Sequence, residues 1–361
     1  MKVTLFSKKG TSDKVYQLAI EEAGGGLFNV AAANGRRGST LTRRMKTTKP
    51  VSYEDAVLVF NGIVAEKKSG SSAYTEGEDS TPYVGTEAAD RFTGILPQLL
   101  TEATEEEAEA MIVSEDWGMQ EKFDGKRIIL DVAAGRVRGI NRKGLECGIP
   151  ETVASGAAAL AVQLGDFRLD GEAMGDSFPA FDLLTIEGRD LTGDSTLTRH
   201  STLRVAAAAF GSLPACFRIA PLWTGREEKR ENFERIRSEG KEGVVFKRLA
   251  APYTPGRPNS GGDQRKVKFT QTHSFFVRAV NQKRSFAVAA FIGGEWKDVG
   301  NVTVPANKAI PQVGDIVDVR YLYYFPGGSI YQPFFIGVRD DIEMADVEAQ
   351  APLKPKPKDE E

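Results

Sequence analysis

The period of apolar and polar positions changes several times along the chain, and each change marks an element. Val15–Ile20 and Leu27–Ala32 alternate in strand fashion on either side of a Glu/Gly turn. Ser52-Tyr-Glu-Asp-Ala predicts a capped helix start, with Asp55 three residues after Ser52 and Ala56, Val57, Val59, Phe60 and Ile63 on one face. These elements predict a small α+β domain over residues 1–75. SGSSAYTEGEDSTPYVGTEA has no apolar period and is rich in Ser, Gly, Thr and Glu, so an acidic linker is expected over 76–90. TEATEEEAEAMIV then reads as a helix whose acidic first turn suits the helix dipole, and its Glu run as a solvated face.

From Trp117 the pattern becomes β-rich, through MQEKF, RIILDVA, a turn at Ala134-Gly135 and VRGINRK. Helical spacing returns in TLTRHSTLRVAAAAF and EKRENFERIRSEG, and strands resume at EGVVFKR and RKVKF. From Thr272, SFFVRAVNQ, SFAVAAFIG, KDVGNVTV, DIVDVRYLYYF and PFFIGVR alternate between Gly turns, which predicts a small closed barrel. APLKPKPKDEE is Pro- and charge-rich and is expected to be disordered. The expected architecture is α+β and multidomain: a module over 1–75, a linker over 76–90, a body over 91–270, a barrel over 271–346 and a tail over 347–361.

With 361 residues and 41% apolar positions, the chain has material for two or three cores, which excludes a mainly disordered protein. No run of about 18 apolar residues suggests a membrane span, and MKVTLFSKKG lacks the apolar stretch of a secretory signal. The expectation is a cytoplasmic protein with no membrane partner. Cys147 and Cys216 lack CxxC spacing, and His200 and His273 stand alone, which argues against disulfide, zinc or His-triad chemistry.

The formal net charge of -3 argues at first sight against a nucleic-acid partner. It averages unlike segments. Up to Gly70 twelve basic residues face six acidic ones; from Ser71 to Gln120 Arg91 alone faces twelve acidic ones; the remainder is nearly balanced. The N-terminal module is therefore basic.

The most informative segment is MQEKFDGKRIIL. A lysine ending an alternating strand, followed by Asp-Gly and a basic pair, places an amine at a strand–loop junction amid cations, and nearby positive charge and burial favour a neutral, nucleophilic amine. Read alone, Lys122 is more often an ordinary surface lysine beside an Asp-Gly hairpin turn. No GxxxxGK[ST] loop offers a rival phosphate site.

Lys122-x-Asp124-Gly125-x-Arg127 resembles the signature of the covalent nucleotidyltransferases, and further elements follow in the family's order. Asn141-Arg142-Lys143-Gly144 is similar to the Ser/Thr-Arg-x-Gly element, with Asn at the hydroxyl position. Leu169-Asp-Gly-Glu172 resembles the strand with a catalytic glutamate, and Phe181-Asp-Leu-Leu184 the segment whose aromatic ring stacks on adenine. Glu242-Gly-Val-Val-Phe-Lys247 and Lys266-Val-Lys268 complete the set. APYTPGRPNSGGDQRKVKF and the Arg339-Asp340-Asp341 end of the barrel narrow the resemblance to ATP-dependent DNA ligases, over Arg91 to Met344. Tyr331 stands where many members have Arg, and Ile342 near a common Lys.

The resemblance implies an ATP-grasp-like adenylation domain followed by an OB-fold barrel. It implies ATP and Mg²⁺, or Mn²⁺, as cofactors. Lys122 would be the nucleophile that carries AMP, and Asp124, Lys266 and Lys268 would be catalytic, the two lysines on the α-phosphate. Glu121, Arg127, Arg142, Phe181, Lys247 and Arg339 would contact the nucleotide, with Glu172 and Glu242 binding the metal as well. Asp124 reads also as a turn cap, and Phe181 as core. Lysyl-AMP and DNA-adenylate intermediates would lead to joining of a 3′-OH and a 5′-phosphate in nicked duplex DNA by a monomer.

KVYQLAIEE, Asn34-Gly35-Arg36-Arg37-Gly38 and the 53–68 helix resemble a WGR domain, a DNA-end-sensing module, with Asn34 at the Trp position and Arg37 at an aliphatic one. Arg36, Arg37, Arg43 and Arg44 are the expected DNA contacts. An RNA ligase or capping-type nucleotidyltransferase shares the lysine motif, and a non-catalytic DNA-binding protein could keep the fold. GVRDD favours the DNA ligase reading over the first; the intact Lys122, Glu172, Glu242, Lys266 and Lys268 argue against the second.

Overall fold

The computed structural model describes residues 1–9, 12–37, 41–69, 74–75, 83–86, 91–259, 261–325 and 327–357. Gly38, Ser71 and most of the expected 76–90 linker lie outside them. The chain divides into two compact units, one of Met1–Arg230 with Val245–Lys266, the other of Glu231–Val244 with Val267–Glu361.

In the first unit, Lys2–Lys9, Ser12–Gly24, Leu27–Arg36 and Thr42–Met45 form an antiparallel sheet in chain order. The helix Tyr53–Lys68 closes one face, burying Ala56 and Phe60 against Leu5, Leu18 and Val30. Ser52 caps it as predicted, its hydroxyl accepting from the Asp55 amide at 3.1 Å. The expected linker is interrupted by a strand, since Tyr83–Val84 pairs antiparallel with Ile149–Pro150. The acidic helix runs Glu105–Val113 and starts in a capping box, where Thr104 and Glu107 satisfy each other's amides.

The body holds two further sheets. One orders Glu146–Cys147, Arg136–Asn141, Lys126–Ala133, Phe167–Ala173, Phe178–Ile186 and Arg189–Asp190, with Phe217–Ile219 parallel to Phe178–Ile186. The apolar run of its central strand follows from burial on both faces. Ile128, Leu130 and Val132 pack with Val153, Ala157 and Leu160 of the helix Glu151–Leu164, whereas Ile129 packs with Ile140, Leu184 and Tyr253. The other sheet orders Thr101–Glu102, Gln264–Lys268, Gly243–Arg248 and Trp117–Glu121.

In the second unit, Glu295–Thr303, Ser285–Ile292, Gln271–Val280, Ile316–Tyr321 and Phe334–Arg339 form one antiparallel sheet in that order. A closed barrel was expected; among the described residues no ladder joins the two edge strands. The tail expected to be disordered is packed as far as it is described. Val347 of the helix Met344–Glu348 is buried, Tyr324 exchanges backbone hydrogen bonds with Lys354 and Lys356 at 2.7 and 2.8 Å, and Lys354 Nζ donates to the Phe269 carbonyl at 2.9 Å. Alternating prolines hold that segment extended while the intervening lysine amides remain available for pairing.

Candidate functional site

Lys122 lies between two sheets. Trp117–Glu121, which leads to it, belongs to the four-stranded sheet, and Lys126–Ala133, which follows, to the larger one. The Asp-Gly step is therefore a crossing, where the hairpin reading had placed a turn between paired strands. Gly125 permits the crossing: a Cβ there would stand 2.5 Å from the Ala173 carbonyl oxygen and 2.9 Å from Glu172 Cγ. The chain thus lies directly against the strand that carries Glu172.

A cavity opens at this crossing. Glu121, Lys122, Arg127, Glu172, Phe181 and Lys247 line it, with Gln120, Val245 and Gln264. Six of the predicted residues, scattered over some 125 positions of sequence, meet here because the larger sheet supplies Arg127, Glu172 and Phe181 while the smaller one supplies Glu121 and Lys247. A larger cavity of about 420 Å³, lined by His200, Arg204, Trp223 and Glu228, contains none of them. In that cavity burial lowers the His200 pKa, and its Nε2 lies 2.9 Å from the Ala220 carbonyl oxygen.

The cavity wall is an electrostatic network. Arg127 and Asp170 form a two-point ion pair, and the Tyr253 hydroxyl donates to the same carboxylate at 2.7 Å. Burial opposes the charge on Arg127, yet Asp170 more than offsets it and raises the guanidinium's pKa further. Arg199 holds Asp182 in a second buried pair, at 2.8 and 3.1 Å. Lys247 donates to the Phe181 carbonyl at 3.1 Å and lies 3.7 Å from Asp182. Burial nonetheless brings Lys247 down to about 8. The Phe181 ring has the Lys247 amine 4.9 Å and the Arg127 guanidinium 5.5 Å from its centroid. Phe181 is half-buried and lines the cavity.

The other predicted residues are not among the cavity residues named above. Asp124 sits half-buried in the crossing. Arg142 is exposed on a turn held by the Asn141 side chain, which accepts from the Lys143 and Leu145 amides. Lys266 pairs with Glu102 at 3.4 Å. In the second unit, buried Glu242 pairs with Lys268 at 3.2 Å, and Arg339 is held by Asp341 and Asp318. Gly243 has φ +151°, and a Cβ there would stand 2.0 Å from the Val267 carbonyl oxygen, so a side chain is excluded beside Glu242.

Among the expected DNA contacts, Arg36, Arg43 and Arg44 are exposed, with Arg43 paired to Glu21. Arg37 is a correction. It is 8% exposed, with its guanidinium 4.6 Å from the centroid of the Phe6 ring. Asp170, Asp182, Arg199 and Tyr253 received no role from sequence, although an Asp inside LDG or FDLL among apolar neighbours signals a buried partner.

No family model matches the chain. The LigD multifunctional non-homologous end joining DNA repair protein of Mycobacterium tuberculosis H37Rv is 30% identical over 190 residues, 46% of this chain and 23% of that protein. A probable DNA ligase of Streptomyces coelicolor is 29% identical over 216 residues, 60% of this chain and 36% of that one. In sequence the chain is similar to DNA ligases. It spans under a quarter of the length of LigD and about a third of the Streptomyces protein. A solved structure from work on DNA binding by Lig E DNA ligases shares the fold, with TM-score 0.51 and 20% identity over 68% of this chain and 99% of that one. No described helix is long and apolar enough to cross a membrane.

Proposed function

We propose that the chain is an ATP-dependent DNA ligase that seals nicks in duplex DNA. The observation that carries this reading is the cavity between the two sheets, where Lys122 meets Glu121, Arg127, Glu172, Phe181 and Lys247. One reactive amine, an aromatic face, a carboxylate and fixed cations are the groups that nucleotidyl transfer requires.

In this reading neutral Lys122 Nζ attacks the α-phosphorus of ATP. A P–N bond forms, the P–O bond to pyrophosphate breaks, and the amine proton leaves to solvent. The DNA 5′-phosphate oxygen then displaces lysine, which recovers a proton, and the 3′-OH finally attacks the 5′-phosphorus, forming the 3′-O–P bond as the P–O bond to AMP breaks and the hydroxyl proton leaves to solvent. Phe181 supplies the stacking face for adenine; Arg127, fixed by Asp170, and Lys247 supply positive charge beside it. Lys266 and Lys268 neutralise the α-phosphate, and Arg339 belongs to the adenylation step as in the OB-fold the resemblance implies.

The resemblance implies Mg²⁺, an ion that keeps its waters and nucleotide oxygens and takes one or two carboxylates. Glu172, which lines the cavity, would supply it a carboxylate oxygen, and it would neutralise phosphate charge.

The test is sealing of a nicked duplex bearing a 5′-phosphate. Joining that needs ATP and is absent with NAD, and absent from a nicked RNA duplex, is expected; joining with NAD alone would reject the reading.

A further inference from the structure

Lys126 is the unspecified position between Gly and Arg in the lysine signature, so its sequence context gives it no role. In the structure it faces away from that chemistry. Its Nζ donates to the Arg37 carbonyl at 2.7 Å and lies 4.9 Å from the centroid of the Tyr83 ring. Both partners come from outside the body of the enzyme. Arg37 directly follows the module's third strand and is itself held, its guanidinium stacked on Phe6. Tyr83 is fixed from the other side, since Tyr83–Val84 is strapped onto Ile149–Pro150 by strand pairing.

We propose that these contacts form a clasp, in which Lys126 docks the basic N-terminal module onto the catalytic crossing through Arg37 and Tyr83. A carbonyl and an aromatic face together accept one ammonium, and a lysine stem in that position also excludes water from the joint. The clasp is four residues beyond Lys122 and adjacent to Arg127, so the module stands at a fixed place beside the cavity. The docking does not rest on the ligase reading.

The docking is read without DNA or nucleotide. With Cys147 and Cys216 replaced by serine, spin labels are placed at Leu58→Cys on the module's helix and Val162→Cys on the body's helix, positions 71% and 86% exposed. Pulsed dipolar spectroscopy on the full chain should give one narrow distance maximum. Lys126→Glu and, independently, Tyr83→Ala should broaden it with loss of the single maximum, while circular dichroism stays unchanged. A broad distribution in the parent chain, or a narrow one that neither substitution alters, overturns the clasp. Failure of ATP-dependent joining would leave this outcome untouched.

Discussion

Arg127 and Asp170 meet in a two-point ion pair, Nε 3.0 Å from Oδ1 and a terminal guanidinium nitrogen 2.6 Å from Oδ2, with the carboxylate fully buried. Asp170 pairs with Ile129 and Asp182 in the neighbouring strands, so the carboxylate is fixed by the sheet and in turn fixes Arg127. Asp170→Asn removes the charge but keeps the shape, leaving Arg127 buried without its counter-ion. A loss of about 3 kcal/mol in urea unfolding is expected. An unchanged midpoint and slope would show that the pair does not hold the wall.

Lys247 carries a pH signature. Its folded-state value is depressed to about 8 by burial, against an ordinary 10.5. The cost of burying its charge is therefore fully present below pH 8, and is relieved as pH rises toward the unfolded value near 10.5. The stability of the parent chain relative to Lys247→Met should rise by about 2 kcal/mol between pH 7 and pH 9.5, read as the difference between two urea series. A difference that stays flat or falls across that window contradicts the burial argument.

The four arginines of the module separate into two behaviours. Replacing Arg36, Arg43 and Arg44 together by alanine should weaken nicked-duplex affinity and reduce the salt slope by about 0.9 for each phosphate that is no longer neutralised. Arg37→Ala should instead lower the module's thermal stability, because it removes the stack on Phe6. Equal salt slopes for the triple variant and the parent chain would remove the module from DNA binding.

Lys122, Arg127, Glu172, Phe181 and Lys247 were legible only as a set, through the order of motifs that carries the family resemblance, since each motif alone is weak; one cavity gathers them. What joins them was not legible, since Asp170–Arg127 and Asp182–Arg199 are partnerships between positions 43 and 17 residues apart that no period encodes. Lys229 is a sharper case. In the charged helix Arg226–Ser238 it reads as a solvated lysine, yet it is fully buried, donating to the Met111, Ser114 and Trp117 carbonyls. The helix Glu151–Leu164 went unseen because its Ala-rich run has weak apolar contrast between faces. The hairpin reading of Asp-Gly failed for a related reason: a turn dipeptide specifies a local bend, and which sheet receives the next strand is decided by distant partners.

The central claim is that Lys122 is the amine that takes up the adenylate. Intact-mass spectrometry of the protein incubated with ATP and Mg²⁺, followed by peptide mapping, tests it most directly. One adenylate per chain, acid-labile and located on Lys122, is expected, and none on the Lys122→Ala protein. An adenylate that persists in Lys122→Ala, or that maps to Lys247 instead, would contradict it.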